Sequence, residues 1–374
     1  MTGFRPPPYP YDRLRSLVQV ASSVPGGAVD LSIGTPCDPP PAAVLEALAS
    51  SGTERGYPPS IGTAAYREAA ASWYARRLGV EVDPAGLAAC VGTKELVVGL
   101  PHLLHLRDPG RDTVLHPAVS YPSYAMGATL AGLRSVPVPV DEHWRLDLAA
   151  IDDADAARAQ CLWVNTPGNP AGGLDDLGAA AEWGRARGIP VLSDECYVEF
   201  TWDGPPRTIL SGGLGGVLAV HSLSKRSNLA GVRAGFYAGD PDLVEYLSEV
   251  RKHQGLMVPG PVQAAAVTAW VDDDHVEVQR ERYRARLGVL ADALAAVGID
   301  TPMPGGGFYL WVPAPGGDAW ALAGELAATA GAVVSPGEFY GDVAADHVRI
   351  AVVQPDDRIG LVADRLAAGA RLAG

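Results

Sequence analysis

The chain is predicted to be an α/β protein: a mostly parallel central sheet flanked by helices, with a smaller α+β domain at the C-terminal end. Three observations predict it. Between about residue 62 and residue 240, short apolar runs alternate with stretches at helical spacing, the pattern of strands joined by crossover helices. The runs are apolar throughout rather than alternating, as strands covered on both faces are. At 374 residues, 48% hydrophobic and 19% charged, the chain can bury more than one core.

The elements follow in order. Nine prolines between Pro6 and Pro41 predict an extended arm, residues 1–45, contributing to the small domain. Val44, Leu45 and Leu48 share one face of a predicted helix over 41–50. Residues 46–275 form the large domain. In it Leu87 to Val91 is a strand broken by Gly92 and Thr93, and Leu96, Val97, Leu100, Leu103 and Leu104 follow at helical spacing. Further strands are predicted over 112–115, 161–164, 191–193, 217–221 and 232–238. Helices are predicted over 123–132 and 175–187, the second ended by Gly188. Residues 276–374 form the small domain. Arg280, Arg282, Arg284 and Arg286 are read as a solvated helix face. Strands follow from Gly305 to Trp311 and over 347–353, then a closing amphipathic helix over 359–370. No internal repeat and no low-complexity tract interrupts this order.

Composition excludes several function classes. The formal charge of −14 and the pI near 5.0 repel nucleic-acid phosphates and anionic lipid, so neither partner is expected. The four cysteines, Cys37, Cys90, Cys161 and Cys196, lie far apart, which predicts no disulfide framework, no metal and a reducing cytoplasmic setting. His102 and His105 lack a third ligand and are read as structural. The first 14 residues have no apolar core of a signal peptide.

In a parallel sheet the working residues gather where strands end. Gly92, Thr93 and Lys94 follow one predicted strand, and Asn165 to Pro170 follow another. Asp194, Glu195, Cys196 and Tyr197 follow a third, and Ser222, Leu223, Ser224, Lys225 and Arg226 a fourth. Arg233 opens the next. Together they offer a phosphate cradle, an amide, a carboxylate, a phenol, an amine and a guanidinium, a set that suits pyridoxal 5′-phosphate (PLP). Gly92 and Thr93 present backbone N–H groups at a helix start, where the dipole favours an anion. Lys94 stands beside that phosphate, and Ser222, Ser224 and Arg233 complete it. Asp194 faces the pyridine nitrogen and keeps it protonated. Asn169 and Tyr197 reach the ring's phenolic oxygen, and Tyr121, chosen over Tyr124, stacks on the ring. The chain has three lysines, Lys94, Lys225 and Lys252. Lys94 is occupied by the phosphate and Lys252 lies in a polar helix, which leaves Lys225 as the Schiff-base amine.

These residues resemble the fold type I, class I/II PLP-dependent aminotransferases over nearly the whole chain. Leu31 to Pro36 resembles the family's N-terminal substrate loop, and Asn165 to Gly172 its N-x-P-x-N-P-x-G. Ser193 to Tyr197 resembles [ST]-D-E-x-Y, and Ser222 to Gly235 resembles S-x-S-K followed by G-x-R-x-G. The resemblance implies that Lys225, Asp194 and Tyr197 are catalytic. It implies that Arg349, with the Gly34 backbone and Asn169, holds the substrate α-carboxylate. It further implies a homodimer with shared sites, in which Tyr57 reaches the phosphate of the neighbouring subunit. Val91 to Leu96, His221 to Lys225 and Arg251 to Pro259 look like the N-succinyldiaminopimelate aminotransferases of bacterial lysine biosynthesis, which use glutamate and 2-oxoglutarate as the second pair. Another class I/II aminotransferase of aspartate or aromatic type, or a PLP-dependent C–S β-lyase, shares the cofactor residues. A PLP-binding regulator usually carries a DNA-binding extension, and the acidic overall charge and the 40-residue Pro-rich start are expected to leave no room for one.

Overall fold

The structure is a computed structural model describing residues 4–369. It divides into two compact units. The larger comprises Thr35–Arg282 with Pro304–Gly307; the smaller comprises the chain up to Gly34, Tyr283–Met303 and the chain from Phe308 onward.

The larger unit is built on a seven-stranded sheet. From one edge the strands are Leu87–Cys90, Gly235–Gly239, Val217–Ser222, Val191–Asp194, Ala159–Asn165, Thr113–Pro117 and Arg134–Val138. All pairings are parallel except those of Gly235–Gly239, which runs antiparallel to both neighbours. Every residue of the five inner strands is buried, which is why their sequences do not alternate. The edge strand Arg134–Val138 escapes sequence reading: it is half exposed and contains Pro137, both edge features. The crossover helices include Thr93–Arg107, Ser123–Leu130 and Leu177–Arg187. The last begins where Asp176 accepts from the Ala179 N–H and ends at Gly188, whose φ is 60°.

In the smaller unit His347–Ala351 is the middle strand of an antiparallel sheet, between Ser335–Pro336 and Tyr309–Pro313. Helices Ala319–Ala330 and Asp356–Ala368 belong to the same unit. The residues before Gly34 are not the extended chain their prolines suggest. Pro10–Leu14 is a 3-10 turn, Arg15–Ser22 is a helix, and Val29–Asp30 pairs parallel with Ala332–Val333. Leu14, Leu17 and Ala21 are buried at spacings of three and four, the period of a helix face that proline content alone hides.

A second correction concerns the arginines of the helix Asp274–Ala296. Residues two apart on a helix point about 200° apart, so four in series cannot share a solvent face. Arg282 and Arg284 are exposed, but Arg286 is buried and pairs with Asp356 at 2.6 Å. Arg280 is half-buried, stacks on Trp202 and donates to the Glu199 carbonyl. Among the described residues no helix is long and apolar enough to cross a membrane.

Candidate active site

Asp194 ends its strand in register with Asn165 of the neighbouring one, so both side chains stand at the same rim of the sheet. The Asp194 carboxylate is buried. Its Oδ2 accepts from the Tyr124 hydroxyl at 2.9 Å and its Oδ1 from the Cys196 N–H at 3.2 Å. Burial pushes this carboxyl above the ordinary range, and the hydrogen bonds from Cys196 and Tyr124 pull it back only in part. Burial also lifts the Tyr124 phenol well above its usual value, so it stays a donor. The Asn165 amide donates to the Asp194 carbonyl at 2.8 Å and accepts from the Asn169 N–H at 2.8 Å. One side chain thus fixes both the carboxylate segment and the turn carrying the buried Asn169.

A second group of donors gathers around Gly92. This glycine precedes the helix Thr93–Arg107 with φ 70°, and a Cβ there would lie 2.2 Å from Arg233 Nη2. Arg233 does not open the strand as expected. It sits two residues before it in the left-handed region, φ 62°, with Nη1 donating to the Ala230 carbonyl at 2.8 Å and to Ser224 Oγ at 3.4 Å. Ser222 Oγ donates to Ser224 Oγ at 2.9 Å and accepts from the Ser224 N–H. The structure therefore brings Gly92, Thr93, Ser222, Ser224 and Arg233 together. Thr93 Oγ1 lies 3.4 Å from Cys196 Sγ, which joins this cradle to the Asp194 loop. Lys94 is exposed on the same helical turn.

Lys225 is half-buried on the single turn Leu223–Arg226, between Ser224 of the cradle and Arg226. Tyr197 is buried at the start of the turn Val198–Phe200. Tyr124 stacks on Trp163 at 4.9 Å, and half-buried Tyr121 stands edge-on to it at 6.0 Å. The donor set fits PLP: a guanidinium, hydroxyls and a helix start for the phosphate, a buried carboxylate for a protonated ring nitrogen, and an amine on the adjoining turn. The absent Gly92 Cβ leaves room that any side chain would fill.

In the smaller unit Arg349 is buried, its guanidinium 4.2 Å from the Tyr309 ring centroid and 4.7 Å from that of Tyr340. Its Nη2 donates to the Ser32 carbonyl at 2.5 Å and the Tyr11 hydroxyl at 3.3 Å. Gly34 packs against the same Tyr309; a Cβ on it would meet the hydroxyl at 2.0 Å. Tyr57 is 96% exposed, so it joins neither cluster within its own chain.

Sequence reasoning passed over Tyr124, Asn165, Glu199 and Arg226 as working parts. Tyr121 lies just before the helix Ser123–Leu130 and Tyr124 in its first turn, so sequence spacing alone does not say which ring faces the site. Nothing in the sequence signals that Glu199 and Arg226 meet in the interior.

The family described as aminotransferase class I and II matches residues 27–366. The chain is 44% identical to 4-dedimethylamino-4-oxo-anhydrotetracycline transaminase OxyQ of Streptomyces rimosus, over 96% of this chain and 99% of that protein. It is 36% identical to the LL-diaminopimelate aminotransferase of Desulforudis audaxviator, over 96% and 95%. Among solved structures, a probable N-succinyldiaminopimelate aminotransferase from Thermus thermophilus superposes with a TM-score of 0.86 at 31% identity, covering 96% of this chain and all of that one.

Proposed function

The chain belongs to the class I and II aminotransferase family, whose members depend on PLP, and from that premise we propose that it moves an amino group between N-succinyl-LL-diaminopimelate and the 2-oxoglutarate/glutamate pair in lysine biosynthesis. The observation that carries the transferase reading is the convergence of the Gly92–Arg233 cradle, the Asp194 carboxylate and Lys225 within one unit. The likenesses to diaminopimelate and N-succinyldiaminopimelate aminotransferases support the substrate class.

When bound, PLP supplies an aldehyde that condenses with amines and a ring that accepts an electron pair. Gly92, Thr93, Lys94, Ser222, Ser224 and Arg233 hold its phosphate, with Tyr57 contributed from a second subunit of a homodimer. Asp194 holds the proton on the ring nitrogen. Asn169 and Tyr197 hydrogen-bond the ring's phenolic oxygen, and Tyr121 covers a ring face. Lys225 Nζ anchors the aldehyde carbon. The Lys225 amine would also move a proton between the substrate Cα and the cofactor's C4′, as general base and acid. Arg349, already desolvated between two tyrosine rings, offers its fork to the α-carboxylate beside the Gly34 backbone.

Arg349→Ala is expected to raise the donor KM roughly 10- to 100-fold, the worth of a lost hydrogen bond to a charged group. PLP affinity should stay within about twofold, because the phosphate and ring-nitrogen contacts are elsewhere. Equal loss of both would count against the carboxylate role. Steady-state kinetics and cofactor titration separate the two.

A second reading, another class I/II aminotransferase with a different amino partner, is favoured by the 44% identity to a transaminase of anhydrotetracycline chemistry. A donor panel against 2-oxoglutarate decides. N-succinyl-LL-diaminopimelate is expected to exceed LL-diaminopimelate, aspartate and phenylalanine in kcat/KM by at least about tenfold. A flat panel supports the second reading. Release of ammonia and pyruvate without a keto acid identifies a β-lyase.

A further inference from the structure

We propose that the buried Glu199–Arg226 ion pair is a positioning device that sets the separation between Lys225 and Tyr197; the inference rests on the PLP reading above. Arg226 directly follows Lys225, and Glu199 lies two residues after Tyr197. Arg226 Nε donates to Glu199 Oε1 at 2.7 Å, with the side chains 2% and 4% exposed. This single contact therefore ties the turn that carries the amine to the turn that carries the phenol.

Both partners are held against the rest of the unit. Arg226 Nη1 donates to the Ala269 carbonyl at 2.6 Å, and its Nη2 to the Asp272 carbonyl at 3.1 Å and to Asp273 Oδ1 at 2.7 Å. The guanidinium also lies over the Trp270 ring. Glu199 Oε1 accepts from Trp73 Nε1 at 2.5 Å, and Oε2 accepts from Arg77 Nε at 2.9 Å. The Glu199 carbonyl accepts from Arg280. Burial alone would raise the Glu199 carboxyl; Arg226 and Arg77 outweigh it and hold the group below its ordinary range. The carboxylate stays charged, and neither turn can shift without leaving an uncompensated charge in the interior.

Such rigidity matters because proton transfer from Lys225 tolerates little displacement; an error of about 1 Å can cost about 100-fold. It also sets the basicity of the amine-derived nitrogen. A phenol donating to the ring's phenolic oxygen disperses negative charge there and makes the neighbouring nitrogen less basic. When Tyr197 drifts, that nitrogen becomes more basic.

The experiment titrates the visible band of the PLP-loaded protein from acid to alkaline pH. Glu199→Gln is expected to raise the band's pKa by about one unit, to lower kcat roughly tenfold and to leave the donor KM within about twofold. Arg226→Lys keeps a cation but loses the fork, and should move the band the same way. Asp273→Asn removes a carboxylate from Arg226 Nη2 and leaves the Nε–Glu199 contact in place. It should lower Tm while leaving the band's titration unchanged. An unmoved band in Glu199→Gln, or an equal shift in Asp273→Asn, overturns the inference. If Glu199→Gln does not fold, Arg226→Lys decides by the same criterion. Borohydride trapping and peptide mapping of the unmodified protein test the underlying reading separately. Label on Lys225 upholds that reading, whereas label on Lys94 or Lys252 removes it and the inference with it.

Discussion

Lys225→Ala is expected to give a folded protein that binds PLP without the visible band of the lysine-linked cofactor. Its transamination rate should be lower by at least about 10²–10⁴-fold, the range of a positioned general acid–base. The loss is larger still where the anchoring step also becomes slow. The chain has two other lysines, and their positions make them controls. Lys94 is exposed on the first turn of the helix Thr93–Arg107, where it faces the phosphate rather than the aldehyde in the reading proposed above. Lys252 is exposed and lies 3.5 Å from Glu249 on the same helix. Lys94→Ala and Lys252→Ala should keep the band. A normal band in Lys225→Ala would end the assignment.

Asp194→Asn is the second large effect, and it has opposite signs on function and on the cofactor-free fold. An amide cannot pair with a protonated ring nitrogen. Breaking a buried ion pair costs about 3–5 kcal/mol, so kcat/KM should fall by roughly two to three and a half orders of magnitude. Without cofactor the balance reverses. Burial raises the folded-state pKa of this carboxyl, the pattern of a group more comfortable protonated inside than in water. Its favourable contribution is fully present below the unfolded carboxyl range and is lost as pH rises through the raised folded value. Ionisation of this buried group therefore costs the cofactor-free protein stability as pH rises, a cost that Asn removes. The cofactor-free variant should melt higher than the parent at pH 7, with the difference shrinking toward acid. A lower melting temperature at pH 7 would show that Tyr124 and the Cys196 N–H already offset burial.

The sheet was largely legible because strands buried on both faces are written as short apolar runs, as in Ala159–Asn165 and Val217–Ser222. The edge strand Arg134–Val138 was not, since half exposure and a proline erase that signal. Over residues 10–30 the proline content masks the helical spacing of Leu14, Leu17 and Ala21. At the site, residues that follow strand ends could be named in advance, since topology delivers them to one rim. Those acting across long sequence separations could not. The Tyr124–Asp194 and Glu199–Arg226 contacts span 70 and 27 residues, and no local pattern encodes them.

The reversed strand Gly235–Gly239 decides how the corner around Gly92 and Arg233 is assembled. Strands that all ran one way would deliver only their exits to this rim. Here an entrance arrives as well: Gly235 lies opposite both Ser222 and Cys90. Arg233, just upstream, lands beside Gly92 instead of roughly 15 Å away at the far end of a five-residue strand. A Cβ at Gly235 would come within 2.5 Å of the His221 carbonyl oxygen. A bare backbone there lets three chain segments close on one another, and any bulkier residue would push against the His221 carbonyl and Cys90 Sγ and pry the corner open.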